Sequence, residues 1–190
     1  MNMIDVSTWS EFTISRLFDI SSPSARSIKT YNEGSVPYVS SGGTNNGICS
    51  YLEPKEGESL EKGKCITVSP LDGSSFYQES DFLGRGGAGS AISMLYNERL
   101  TMYNALFICT VIKISAQKFD YSDALTSDNL KSLSIKLPVL RDEEGFPVID
   151  EKKVYTDDGL VPDWNYMTDY MKMIEEKAQK RVDLLNLIGK

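Results

Sequence analysis

The chain has 190 residues, 41% of them hydrophobic and 25% charged, which is ordinary globular composition, enough for one body of about 150 residues plus an extra element and far from a disordered chain. Its net charge of −7 argues against indiscriminate binding to nucleic acid or anionic membrane, and the absence of histidine removes Ser-His-Asp and Cys-His catalysis together with histidine-bearing metal sites. No run of about 18 apolar residues occurs, and the opening MNMIDVSTWSEF lacks the basic flank and apolar stretch of a signal peptide, so the expected location is the cytoplasm, with no membrane span. From Phe12 to about Pro138, short apolar runs are broken by Gly, Ser, Asn or Pro, which predicts a β-rich body. The candidate strands are Phe12–Ile14, Val36–Val39, Gly47–Tyr51, Cys65–Ser69, Ser74–Tyr77, Ala91–Leu95 and Leu133–Leu137. The segment Asn104–Ile114 is apolar on too many faces for an exposed element and reads as a buried helix, with a buried strand as the competing reading.

Residues 138–162 hold three prolines, two glycines and a dense mix of charges, as expected of a connecting segment or surface hairpin. Beyond Pro162, Asp163 is placed to cap a helix running from Trp164 to Ile188, about 37 Å long at 1.5 Å per residue, with Gly189 as its stop. Met167, Met171, Ile174, Ala178, Val182, Leu185 and Ile188 recur at three- and four-residue steps and form one apolar stripe. Such a stripe packs on its own domain or on another helix, and its length and polar second half favour another helix. Cys49, Cys65 and Cys109 lack the close spacing of zinc sites and read as reduced core thiols.

Two loops stand out. Ser40–Gly47 reads SSGGTNNG, in which asparagine amides suit adenine edges, although an Asn46-Gly47 tight turn before the next strand explains those two residues by itself. Gly84–Ser90 reads GRGGAGS, with the glycine spacing of a dinucleotide fingerprint but neither the preceding parallel strand nor the following helix that such a site needs. Arg85 and nearby free amides remain as a phosphate or DNA-backbone contact, against a plain structural turn. The acidic clusters of the tail read as solvated loop, and no carboxylate spacing suggests a nuclease or metal centre.

In WSEFTISRLFDI, VPYVSSGGTNNGICSY, KCITVSPLDGSSFYQ, LSIKLPV and PDWNYMTDYMKMIE, taken in that order, the chain resembles the target recognition domain of restriction–modification specificity (S) subunits, of type I and similar bifunctional type II systems. The resemblance covers nearly the whole chain and implies an α+β fold: a β-rich target recognition domain over 1–161, of which 138–161 is a connecting segment, then a long helix over 162–190. It implies a half-subunit with one recognition domain and one helix, reading a half-site in double-stranded DNA. It would be non-catalytic and without cofactors, with chemistry supplied by a methyltransferase (M) subunit and, in restriction, an endonuclease or translocase subunit. Specificity is then expected in the loops of residues 29–50 and 84–104, with Lys29, Tyr38, Ser41, Thr44, Asn45, Asn46, Arg85 and Asn104 as DNA contacts. A homodimer would form through Met167, Met171, Ile174, Ala178, Leu185 and Ile188. The alternative reading is a regulatory or decoy interaction module of the same fold that does not bind DNA.

Overall fold

The computed structural model describes residues 4–87, 91–119 and 124–188, with side chains through Asn186. Among the described residues, three small sheets build the body. The first pairs β1 (Ser10–Thr13) antiparallel with β9 (Ser134–Leu137), Phe12 facing Ile135, so the two ends of the body close on one another. In the second, β2 (Asp19–Ser21), β8 (Ser93–Tyr96), β5 (Cys65–Val68) and β6 (Ser75–Gln78) lie in that order, all antiparallel. Central β5 is buried at every position, as expected of a strand covered on both faces. The third sheet sets β3 (Glu33–Val39) between antiparallel β4 (Ile48–Leu52) and the two-residue parallel strand β7 (Leu83–Gly84).

The expected strands sit within one or two residues of the observed ones, except that β3 starts three residues early and Ile14 opens the short helix α1 (Ile14–Leu17) instead of ending a strand. Helix α2 (Met102–Ser115) replaces the strand alternative, and α3 (Ser127–Ser132) follows it. The expectation that α2 is buried all round needs correction: Ala105, Ile108 and Ile112 are in the core, but Leu106 and Ile114 face outward, Ile114 with 60% of its surface exposed. Its outer edge joins Ile4, Val6, Trp9, Tyr170 and Met171 around a shallow apolar depression.

Phe12, Ile14, Ile66, Leu95, Ile108, Ile112 and Ile135 form the centre of the main core. The segment after β9 makes bridge-tied loops, Val139 to Pro162 and Ile149 to Leu160, and Arg16 pins it by donating to Asp157 at 2.6 Å, to the Val154 carbonyl and to the Lys153 carbonyl. Asp163 then caps α4 (Trp164–Ile188), its carboxylate accepting from the Tyr166 amide at 2.9 Å.

The first turns of α4 belong to the body. Trp164 packs edge-on to Phe18, and Met167 is fully buried in the core, which corrects its assignment to a dimer seam. Met171 is half-buried at the margin, whereas from Lys172 onward the helix stands largely clear, with Leu185 68% exposed. The side chain of Ile188, also assigned to the seam, lies outside the described residues.

Candidate nucleic-acid interface

The third sheet carries a cleft of about 220 Å³ lined by Arg26, Ser27, Ile28, Lys29, Tyr38, Ser40, Cys49 and Arg85. Its floor comes from the pleat of β3 and β4. Tyr38 is buried against Leu52 and Leu83, while Cys49, exposed on β4, directs its thiol at the Tyr38 carbonyl 3.6 Å away. Lys29 sits on a single helical turn closed by the Thr30 amide on the Ser27 carbonyl at 3.0 Å. Arg85 leaves the end of β7 with its amide donated to the Val39 carbonyl at 2.8 Å. Both cations are exposed, and among the described residues neither forms an ion pair. Two uncommitted cations on one rim are what a phosphate contact needs.

Tyr38 is less available than its position in the sequence suggests. Burial pushes its phenol up, against the opposing fields of Arg85 and Arg26, and its hydroxyl points at the Arg26 carbonyl 3.5 Å away. It is therefore a neutral floor residue whose hydroxyl is partly engaged, not a side chain free to enter a groove.

The SSGGTNNG loop is built as a turn. Asn45, Asn46 and Gly47 all take positive φ (+48°, +55° and +74°), a run that asparagine and glycine tolerate best. Ser40 donates its amide to the Gly47 carbonyl, the Asn45 amide group donates to the Ile48 carbonyl, and that of Asn46 donates to the Tyr77 carbonyl, with Gln78 returning a bond to the Asn46 carbonyl at 3.0 Å. Asn46 spends both amide donors on the fold, on the Tyr77 carbonyl and the Gln78 side chain, and keeps its carboxamide oxygen for a ligand, whereas Asn45 spends one donor and keeps an N–H as well as its oxygen. Thr44 is exposed at the loop tip and Ser41 half-buried at its base.

Asn104 needs a larger correction. It is 1% exposed, and its side chain accepts from the Thr101 amide at 2.8 Å while Thr101 accepts from the Asn104 amide, a reciprocal cap on α2; its amide group also donates to the Arg99 carbonyl. Its polar atoms are consumed, and it cannot read a base. Cys49, expected in the core, instead lines the cleft; the alternating burial along β4 carries that signal. Residues 88–90 of the glycine-rich loop lie outside the described residues.

Arg26, one of the basic residues available for a DNA-facing surface, is internal. Its side chain is 3% exposed, with Nε 2.7 Å from Glu58, Nη1 2.5 Å from Glu61 and 3.1 Å from the Gly84 carbonyl, and Nη2 2.9 Å from the Ser59 carbonyl. The Tyr31 hydroxyl donates to Glu58 at 2.7 Å. Burial works against the Glu58 charge, yet the bonds from Tyr31, Arg26 and the Lys55 amide outweigh it and hold the carboxyl down at about 2.

Fold and cleft together define a binding module: a β-rich body with a cationic rim and a helix left free to couple it to something else. Comparison with known proteins makes this specific. The chain belongs to the type I restriction modification DNA specificity domain family, whose pattern matches residues 6–156. It is 30% identical over 187 residues to the Type II restriction enzyme BgcI specificity subunit S.BcgI of Heyndrickxia coagulans, aligning 96% of this chain with 48% of that protein, so the chain spans about half the length of that relative. Among solved structures it shares its fold with the HsdS subunit from Thermoanaerobacter tengcongensis (TM-score 0.52, 16% identity, 95% of this chain and 41% of that one). The type I S subunit from M. genitalium is similar (TM-score 0.51, 16% identity, 96% and 44%). A chain from a study of complex assembly and conformational transition in the type I R-M system also matches (TM-score 0.54, 18% identity, 98% and 43%).

Proposed function

We propose that the chain acts as a DNA specificity module of one recognition domain and one helix. Its body, residues 1–161 including the connecting segment from 138, reads one half of an interrupted target in double-stranded DNA, and the helix of 162–190 pairs two copies. The observation that carries this reading is the cleft with unpaired Lys29 and Arg85 on a body whose family is a DNA specificity domain. The exposed stretch of α4 beyond Met171 supports the pairing, because Ile174, Ala178, Val182 and Leu185 would otherwise remain open to water.

Cations on the cleft rim supply affinity through phosphate, and Thr44, Ser41 and the remaining oxygens of Asn45 and Asn46 supply discrimination at base edges. A methyltransferase subunit then performs the chemistry on the bound DNA, and in restriction an endonuclease or translocase subunit joins it. A two-fold pair presents the same reading surface twice in opposite orientations, so the target is an interrupted palindrome.

The test is methylation mapping with the matching methyltransferase subunit, beside light scattering of the chain alone. An interrupted palindrome and a dimer that Ile174→Glu converts to monomer are expected. Two unrelated half-sites, or a wild-type monomer, would overturn the homodimer. Absence of sequence preference would overturn the DNA reading.

A further inference from the structure

A buried cation held by two carboxylates is an expensive way to stabilise a fold, since desolvation offsets much of the attraction and an apolar replacement often does as well. The position of Arg26 suggests another use. Its guanidinium reaches four acceptors on two chain segments: Glu58, Ser59 and Glu61 on one, and the Gly84 carbonyl at the end of β7 on the other. Its own carbonyl faces the Tyr38 hydroxyl. Lys29 lies three residues after Arg26, and Arg85 directly follows Gly84.

The clasp is closed further by the Ser24 amide on Glu61 and by the Ala25–Gly86 bridge. There the backbones touch so closely that a Cβ on Gly86 would stand 2.1 Å from the Pro23 carbonyl oxygen. Lys29 is therefore joined within three residues to Arg26 itself, and Arg85 directly to the Gly84 carbonyl that Arg26 holds.

We propose that Arg26, clamped by Glu58 and Glu61, is a positioning residue for DNA recognition: it fixes the separation of Lys29 and Arg85 and thereby the register in which the body sits on the phosphate backbone. This rests on the DNA reading proposed above. Phosphate contacts set register and base contacts set specificity, so a loosened rim still binds DNA through the same charges but presents Thr44 and its neighbours to the bases less accurately.

The probe pair is a sequence enriched from randomised duplexes by the wild-type chain with its methyltransferase subunit, and a scrambled duplex of equal length. The informative variant is the charge-free triple Arg26→Met, Glu58→Gln, Glu61→Gln, which strands no buried charge; Arg26→Lys, which cannot span four acceptors, is its conservative partner. For a triple variant that melts cooperatively and is assayed well below its Tm, the expected preference for the enriched sequence falls about tenfold, roughly 1.4 kcal/mol, while binding to scrambled duplex and its salt slope stay within about threefold of wild type. Arg26→Lys falls between. If the triple variant does not fold, Arg26→Lys and Glu61→Gln carry the same test with smaller expected losses. An undiminished preference in the folded variants, or equal loss on both duplexes, would overturn the positioning role. A wild-type complex with no preference would instead overturn the DNA reading itself, and the positioning role with it.

Discussion

Replacing Glu58 with glutamine tests the clasp through stability, independently of DNA. The carboxyl is held at about 2 in the folded chain, against an ordinary value of 4.5. A group whose value is depressed by folding stabilises the protein above its unfolded value and loses that contribution as pH falls through the folded one. For Glu58 the contribution is complete above about pH 4.5 and is withdrawn progressively toward pH 2. The difference corresponds to about 3 kcal/mol at neutral pH, an upper figure because Arg26 keeps Glu61 when Glu58 is neutral. For a chain of this size that is a fall in Tm of about 6–12 °C for Glu58→Gln near pH 7. Thermal unfolding followed by circular dichroism from pH 7 down to pH 3 should show wild type and variant far apart at neutrality and converging in acid. A constant gap across that range, or equal melting temperatures at pH 7, would show that Glu58 is not held as described.

The reciprocal cap on α2 predicts that Asn104→Ala lowers stability by about 1 kcal/mol in urea unfolding while the sequence preference in DNA binding stays at the wild-type level. Lys29→Ala and Arg85→Ala, measured on scrambled duplex across a salt series, should each weaken binding and reduce the slope of log affinity against log salt by about one; an unchanged slope would remove that residue from the phosphate contact.

Periodic elements were legible before any coordinates. The β-rich body, α2 and the whole length of α4 follow from apolar spacing and turn residues, and the Asp163 cap from its position. The three-residue β2 and two-residue β7 are too short to carry a period. The site residues divide along the same line. Lys29 and Arg85 emerged as candidates because exposed loop cations need no partner to be recognised. Asn104 misled because Thr101-x-x-Asn104 is a cap pattern, and the same amide that suits a base edge suits a helix end. Met167 lies on the same stripe as Ile174, and only the packing of Trp164 and Met167 into the body separates the part of α4 that is core from the part that is free. The Arg26 clasp joins residues 32, 35 and 58 positions apart, and no local pattern reports pairings at that range.

The free part of α4 also specifies how a second copy would lie on it. Around Ala178 it carries Glu175, Glu176 and Lys177 on one side and Lys180 and Arg181 on the other, and an antiparallel pair with its two-fold axis at Ala178 sets Glu175 against the partner's Arg181 and Glu176 against the partner's Lys180. The same axis places Ile174 on the partner's Val182 and Met171 on the partner's Leu185, with the small Ala178 side chains meeting where the backbones approach most closely. Shifting the axis between Gln179 and Lys180 would oppose Glu176 to the partner's Asp183 and Ala178 to the partner's Arg181, which is worse in both charge and packing. In a Cys49→Ser background, which removes the exposed thiol and leaves the buried Cys65 and Cys109, Ala178→Cys should form a disulfide dimer under mild oxidation. Ile174→Cys alone should not, because the two copies of residue 174 would lie about 12 Å apart along the helices, while Ile174→Cys combined with Val182→Cys should. Crosslinking of Ile174→Cys alone, as fast as that of Ala178→Cys, would mean a parallel pair, and with it the loss of the opposed reading surfaces on which an interrupted palindrome depends.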